Sequence, residues 1–95
     1  MFLSAYHFDG DPAALATAHD RLCKRLRPES LDLHVCVLDA NGITVFDACP
    51  SREVFAAFSQ SAAFRQAVAE AGLPQPRLEP LGDVHDVRVR DGVTP

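Results

Sequence analysis

The stretch Leu31-Asp32-Leu33-His34-Val35-Cys36-Val37-Leu38-Asp39-Ala40-Asn41-Gly42-Ile43-Thr44-Val45-Phe46-Asp47-Ala48-Cys49 decides the fold through its alternation. Leu31, Leu33, Val35 and Val37 fall on one side of an extended chain, and Asp32, His34, Cys36 and Leu38 on the other, because successive side chains of a strand point to opposite faces. Asn41-Gly42 tolerates the positive φ of a tight I′ turn and predicts a hairpin, with Ile43 to Cys49 as the return strand. With Asn41 and Gly42 as the loop, Ala40 faces Ile43, Cys36 faces Asp47 and His34 faces Cys49. These four side chains then share one face with Leu38 and Val45. The other face, with Leu33, Val35, Val37, Phe46 and Ala48, is the more apolar and is expected to receive the helices. A four-residue loop closed by Asp39 and Thr44 keeps this pairing; a three-residue loop shifts it by one and disperses the cluster.

Upstream, residues 2–8 are rich in Phe, Leu and Tyr and run into Asp9-Gly10-Asp11-Pro12, a strand followed by a helix start. Asp11 suits the cap and Pro12 the first helical position. Leu15, Ala18, Leu22 and Leu26 then recur at helical spacing, with Arg21, Lys24 and Arg25 near the negative end and Pro28 as the stop. Downstream, Ser51 caps a helical region through Val54, Phe55 and Phe58, with a break near Ser59-Gln60-Ser61. Phe64, Ala67, Val68 and Ala71 continue the stripe to Gly72 and Pro74. Val84, Val87 and Val89 mark a last strand, and residues 91–95 read as a loose tail. The order β-α-β-β-α-β predicts one α+β domain over 1–95: a ferredoxin-like four-stranded antiparallel sheet with its helices on one face. The helix-free face then meets water, a ligand or a second subunit.

Length and charge narrow the classes. A chain of 95 residues has one small core and gains from dimerisation. Nine Lys plus Arg against thirteen Asp plus Glu give a formal charge of −4, which argues against nucleic acid or an anionic membrane as partner. The apolar opening lacks a basic lead-in, so a signal peptide is not expected, and no run reaches the length of a membrane span. Cys23, Cys36 and Cys49 are an odd number without a C-x-x-C, which fits reduced thiols in a cytoplasmic protein. P-loop, G-x-G-x-x-G, H-E-x-x-H and G-x-S-x-G motifs are missing, which removes several enzyme classes.

The cluster of His34, Cys36, Asp47 and Cys49 admits three readings. His34 can be a satisfied interface imidazole with the cysteines as small hydrophobes. It can form an oriented acid/base pair with Asp47 in a ligand pocket on the helix-free face. Or His34, Cys36 and Cys49 can hold a metal, although two adjacent strands lack the short-loop spacing of structural zinc sites. Tyr6 and His85 are further candidates for that face. His19 reads as a partly exposed helix residue, and Cys23 as a small helix residue with no base placed beside it.

Gly42-Ile43-Thr44-Val45-Phe46-Asp47-Ala48-Cys49-Pro50-Ser51-Arg52-Glu53-Val54-Phe55, followed by Ala71-Gly72-Leu73-Pro74 and Val84-His85, resembles the dimeric α+β barrel superfamily, and within it the antibiotic-biosynthesis-monooxygenase-like domains. The resemblance implies a homodimer whose sheets face each other around inner-face cavities. It also implies a small aromatic or polyketide-like ligand, and a cofactor-independent monooxygenase or cyclase activity. In the pocket read from the hairpin register, His34 and Asp47 are the candidate catalytic pair, Cys36, Cys49, His85 and Tyr6 line the ligand, and no cofactor is expected. Cys49 stands where a Trp is common in such domains, and the chain has none. The alternatives are a non-catalytic dimeric module with a filled interface and a Cys/His metal-binding protein.

Overall fold

The computed structural model describes residues 1–26 and 31–90, and it places β1 (Phe2–Asp9), α1 (Pro12–Arg25), β2 (Leu33–Asp39), β3 (Gly42–Cys49), α2 (Arg52–Ser59), α3 (Ala62–Ala71) and β4 (Arg77–Asp83) in that order. Pro28 and the tail at 91–95 lie outside the described residues. The three helices start where small polar residues supply the missing acceptors. Asp11 accepts from the Ala14 amide, Ser51 from Val54 and Ser61 from Phe64. The break at Gln60 is therefore a restart, since Ser61 caps a new helix. Gly72, at φ +90°, ends α3 in the left-handed conformation that glycine adopts without strain.

All strand pairs are antiparallel, and the sheet order is β2-β3-β1-β4. Each strand–helix–strand unit thus leaves room for one strand of the other unit between its own two. The fold is α+β, a four-stranded antiparallel sheet with three helices. No helix among the described residues is long and apolar enough to cross a membrane.

The hairpin turn differs from the I′ turn expected from Asn41-Gly42. Among the described residues no non-glycine residue has positive φ, and the two turn residues are Ala40 and Asn41, closed by Asp39 opposite Gly42. Asp39 Oδ1 accepts from the amides of both Asn41 and Gly42, at 2.8 and 2.9 Å, which stabilises the turn without a left-handed residue. Gly42 serves another purpose: at φ +151° a β-carbon would sit 2.0 Å from the Phe8 carbonyl oxygen, so only glycine lets β1 approach here. The register moves by two residues. His34 now faces Asp47, and Cys36 faces Val45. An even shift preserves the sides, so His34, Cys36, Asp47 and Cys49 still share one face.

That face is the one beneath the helices, which corrects the expected placement. β1 and β3 pair Phe2 with Cys49, Ser4 with Asp47, Tyr6 with Val45 and Phe8 with Ile43. The aromatic side chains Phe2, Tyr6 and Phe8 are what Leu15 and Leu22 of α1, Phe55 of α2, and Phe64 and Val68 of α3 bury. Asp47 follows its paired neighbours under that layer. Val35 and Val37, expected to receive the helices, point to the bare side, where no helix covers them, and are 42% and 41% exposed.

The last strand also moves. Residues 77–83 form β4, and 84–90 carry no regular structure. Pro80 lacks a ladder donor, and an edge strand tolerates that; the pairing slips beside it, between Leu3 and Ser4. Val84 is half-buried and donates its amide to the Met1 carbonyl at 2.8 Å, whereas Val87 and Val89 are exposed chain beyond the sheet.

Candidate functional site

A cavity of about 300 Å³ opens between α1 and the sheet. Its walls are mainly apolar, from Tyr6, Phe8, Leu22, Leu26, Leu31, Val45, Phe58 and Phe64. One end is polar and is built by His19 and Cys23 of α1, His34 of β2 and Asp47 of β3. His19 and Cys23 are four residues apart on a helix and therefore project from the same face. His34 and Asp47 meet because their strands place them opposite each other.

The polar end is a chain of contacts. Asp47 Oδ1 lies 2.6 Å from His34 Nδ1, His34 Nε2 lies 2.9 Å from His19 Nε2, and His19 Nδ1 lies 3.2 Å from Asp20 Oδ1. Cys23 Sγ is 3.3 Å from His19 Nε2 and 3.9 Å from His34 Nε2. The two imidazoles lie nearly parallel, with centroids 5.1 Å apart and planes at 12°. Asp47 is buried, whereas the His34 side chain is 36% exposed, so one partner anchors and the other reaches the opening.

The electrostatics follow from this placement. The hydrogen bond to Asp47, aided by its charge, raises the His34 pKa above the ordinary 6.5, against an opposing effect of burial. Burial raises the Cys23 and Cys36 thiols, with nearby carboxylates adding to it. Tyr6 is pushed far up, first by burial and then by the Asp47 charge, so its hydroxyl stays protonated.

Of the residues singled out in the sequence, His34, Asp47 and Tyr6 reach the cavity. Cys36 faces Val45 and packs at the core margin without lining the cavity. Cys49 is buried and donates its thiol to the Ser51 carbonyl at 3.2 Å. The metal set His34, Cys36 and Cys49 does not converge. Among the described residues, the group whose donor atoms come together is His19, Cys23 and His34, all within 4.8 Å of one another. His85 lies past β4, where with Leu3, Leu33 and Leu81 it lines a shallow depression on the bare face of the sheet. His7 bonds Thr44 and Glu79 and takes no part. His19 and Cys23 are the residues that sequence reasoning missed. Their spacing, His19-x-x-x-Cys23, was the available signal, since two donor side chains one helical turn apart can share a ligand.

Comparison of the chain with protein-family models, with curated proteins and with solved structures finds no match.

Proposed function

We propose that this chain binds a small, largely apolar molecule of aromatic or polyketide-like type in the cavity under α1. The observation that carries the reading is one closed chemical gradient: aromatic and aliphatic walls ending in the His34–Asp47 pair. An engineered cavity of about 150 Å³ accommodates benzene, so about twice that volume suits one or two fused rings. Asp47 accepts from Nδ1 and thereby leaves Nε2 of His34 as the unprotonated nitrogen at the polar end of the cavity, where it lies 2.9 Å from His19 Nε2. A ligand hydroxyl or enol placed there gives its hydrogen to Nε2, which is the opening step that a cofactor-independent oxygenase or a cyclase shares. Titration with naphthols and other phenols, followed through the ring resonances of His34, Tyr6 and Phe64, tests the reading. Shifts confined to the cavity residues support it; a broad panel that moves none of them overturns it.

A second reading, a homodimer of ferredoxin-like barrels closed over the helix-free face, draws on two observations. The order β2-β3-β1-β4 with helices on one side fits a split βαβ sheet, and Val35, Val37 and Leu81 leave apolar area exposed. Light scattering of the wild type and of Val35→Lys tests it: a dimer that dissociates in the variant supports the closure, and a monomeric wild type removes it.

A further inference from the structure

We propose that His19 Nε2, Cys23 Sγ and His34 Nε2 bind one zinc ion, with the fourth coordination position open to the cavity. Three features of the site point there.

The first is proton bookkeeping. Asp20 and Asp47 as carboxylates only accept, so the Nδ1 atoms beside them carry the ring hydrogens. Two neutral rings in those tautomers turn their Nε2 lone pairs at each other across 2.9 Å. That contact is repulsive unless something positive joins it. A single extra proton would suffice for the nitrogens alone. A proton shared by the nitrogens, with the Cys23 thiol donating at 3.3 Å, is the metal-free form of the same three groups, and one ion takes the place of both protons.

The second is metric. Tetrahedral zinc with bonds of about 2.0–2.1 Å to nitrogen and about 2.3 Å to sulfur holds its ligands roughly 3.3 Å apart for two nitrogens and roughly 3.6 Å for nitrogen and sulfur. The two nitrogen–sulfur distances, 3.3 and 3.9 Å, bracket the zinc value, and the nitrogen–nitrogen distance of 2.9 Å is about 0.4 Å short of it, so the two rings must part slightly to admit the ion. The third is the outer layer. Each imidazole has a carboxylate on its other nitrogen, the arrangement that fixes tautomer and orientation at metal-bound histidines.

Three protein ligands with one open position match catalytic rather than structural zinc sites. Copper sites with two histidines and a cysteine add a long axial Met, Gln or backbone oxygen, and among the described residues neither Met nor Gln lines this cavity. Binding displaces the Cys23 thiol proton to solvent. The open position faces the space assigned to the ligand, so there the inference rests on the preceding reading. In the loaded protein His34 Nε2 is held by the ion, so a ligand hydroxyl that binds at the open position releases its proton to solvent and meets the ion as its conjugate base.

The test uses the full chain, stripped with chelator and titrated with zinc alone and with cobalt(II) alone. The expected result is one ion per chain, and with cobalt a visible spectrum of tetrahedral intensity carrying a thiolate charge-transfer band. Cys23→Ser should abolish that band, and His19→Ala should lower zinc affinity by more than about tenfold. Cys36→Ser and Cys49→Ser should leave both readouts unchanged. Circular dichroism of each stripped variant checks the fold. Asp47→Asn, which keeps all three ligands, should weaken binding by about 10–100-fold and so reports even if His19→Ala does not fold. No stoichiometric binding, or binding indifferent to Cys23→Ser and Asp47→Asn, overturns the assignment. No aromatic compound enters these measurements, so their failure and a failure of phenol binding are separate results.

Discussion

His34 and Asp47 are direct partners across β2 and β3, and the 2.6 Å contact from Nδ1 to Oδ1 leaves the second ring nitrogen of His34 2.9 Å from His19. A strand pair therefore supplies the orientation, and a helix one layer above supplies what it is oriented toward.

In chelator-treated protein this pair sets a pH dependence. The folded His34 pKa is above 6.5, so its stabilising contribution is fully present below 6.5 and is lost as pH rises through the folded value. His19 and Cys23 face the same ring, and Asp20 lies beyond His19. Asp47→Asn removes the charge while keeping the size. The His34 ring resonance should then titrate at lower pH, and the stability gap between the two proteins should be widest in acid and narrow upward. A gap of constant size across that range would contradict the pairing.

Gly42→Ala should cost about 2 kcal/mol or more in urea unfolding, with the slope against denaturant unchanged. The new methyl meets a backbone oxygen that no side-chain rotation can move. Gly82 has a similar φ of +154° with nothing within 4 Å, so Gly82→Ala carries the torsional penalty without the collision and should cost less. Equal effects at the two sites would show that the close approach of β1 is not what Gly42 provides.

What the sequence made legible here was local. The alternation over 31–49 groups His34, Cys36, Asp47 and Cys49 on one side, and that grouping survives because the cross-strand register slipped by two residues rather than one. Which side meets the helices was not legible. It depends on β1 pairing with β3 across about forty residues, and no turn sets that register. The greater apolarity of Leu33, Val35 and Val37 misleads because the side those residues occupy is the one no helix covers, although α1 packs on the opposite side of the same strand. The contribution of α1 to the site is likewise tertiary: His19 and Cys23 acquire meaning only when Leu15 and Leu22 dock the helix over β2 and β3.

The same reasoning separates β4 from the valine-rich chain after it. Val89 is 65% exposed and belongs to no strand, so Val89→Asp should change stability by less than about 0.5 kcal/mol. Thermal unfolding decides this, and a loss of several degrees would return residues 84–90 to the sheet.

Phe55 joins α2 to the first strand: its ring lies 5.8 Å from Phe2 and 5.9 Å from Tyr6, and it is 8% exposed. Phe55→Ala should cost roughly 3–5 kcal/mol, since neighbouring rings cannot collapse fully into the space left. A small domain has about 5–15 kcal/mol in all, so this variant should unfold at much lower urea. A midpoint near that of the wild type would mean that α2 is not packed as described.

Val45 tests the cavity without touching its donor atoms. It sits in the middle of β3 between Tyr6 and Cys36, 5% exposed, and its side chain forms part of the cavity wall. Val45→Phe directs a ring into space that is open in the wild type, so little strain is expected, and filling a void tends to hold or raise stability. A bound aromatic molecule would compete for the same volume. Phenol affinity should fall by at least about tenfold, equivalent to roughly 1.4 kcal/mol, while zinc affinity stays unchanged because His19, Cys23 and His34 are attached elsewhere. Calorimetry with each ligand in turn separates the two effects. Undiminished phenol binding by a folded Val45→Phe protein would place the ligand outside this cavity, and a parallel loss of zinc would mean that the polar end and the apolar walls do not move independently.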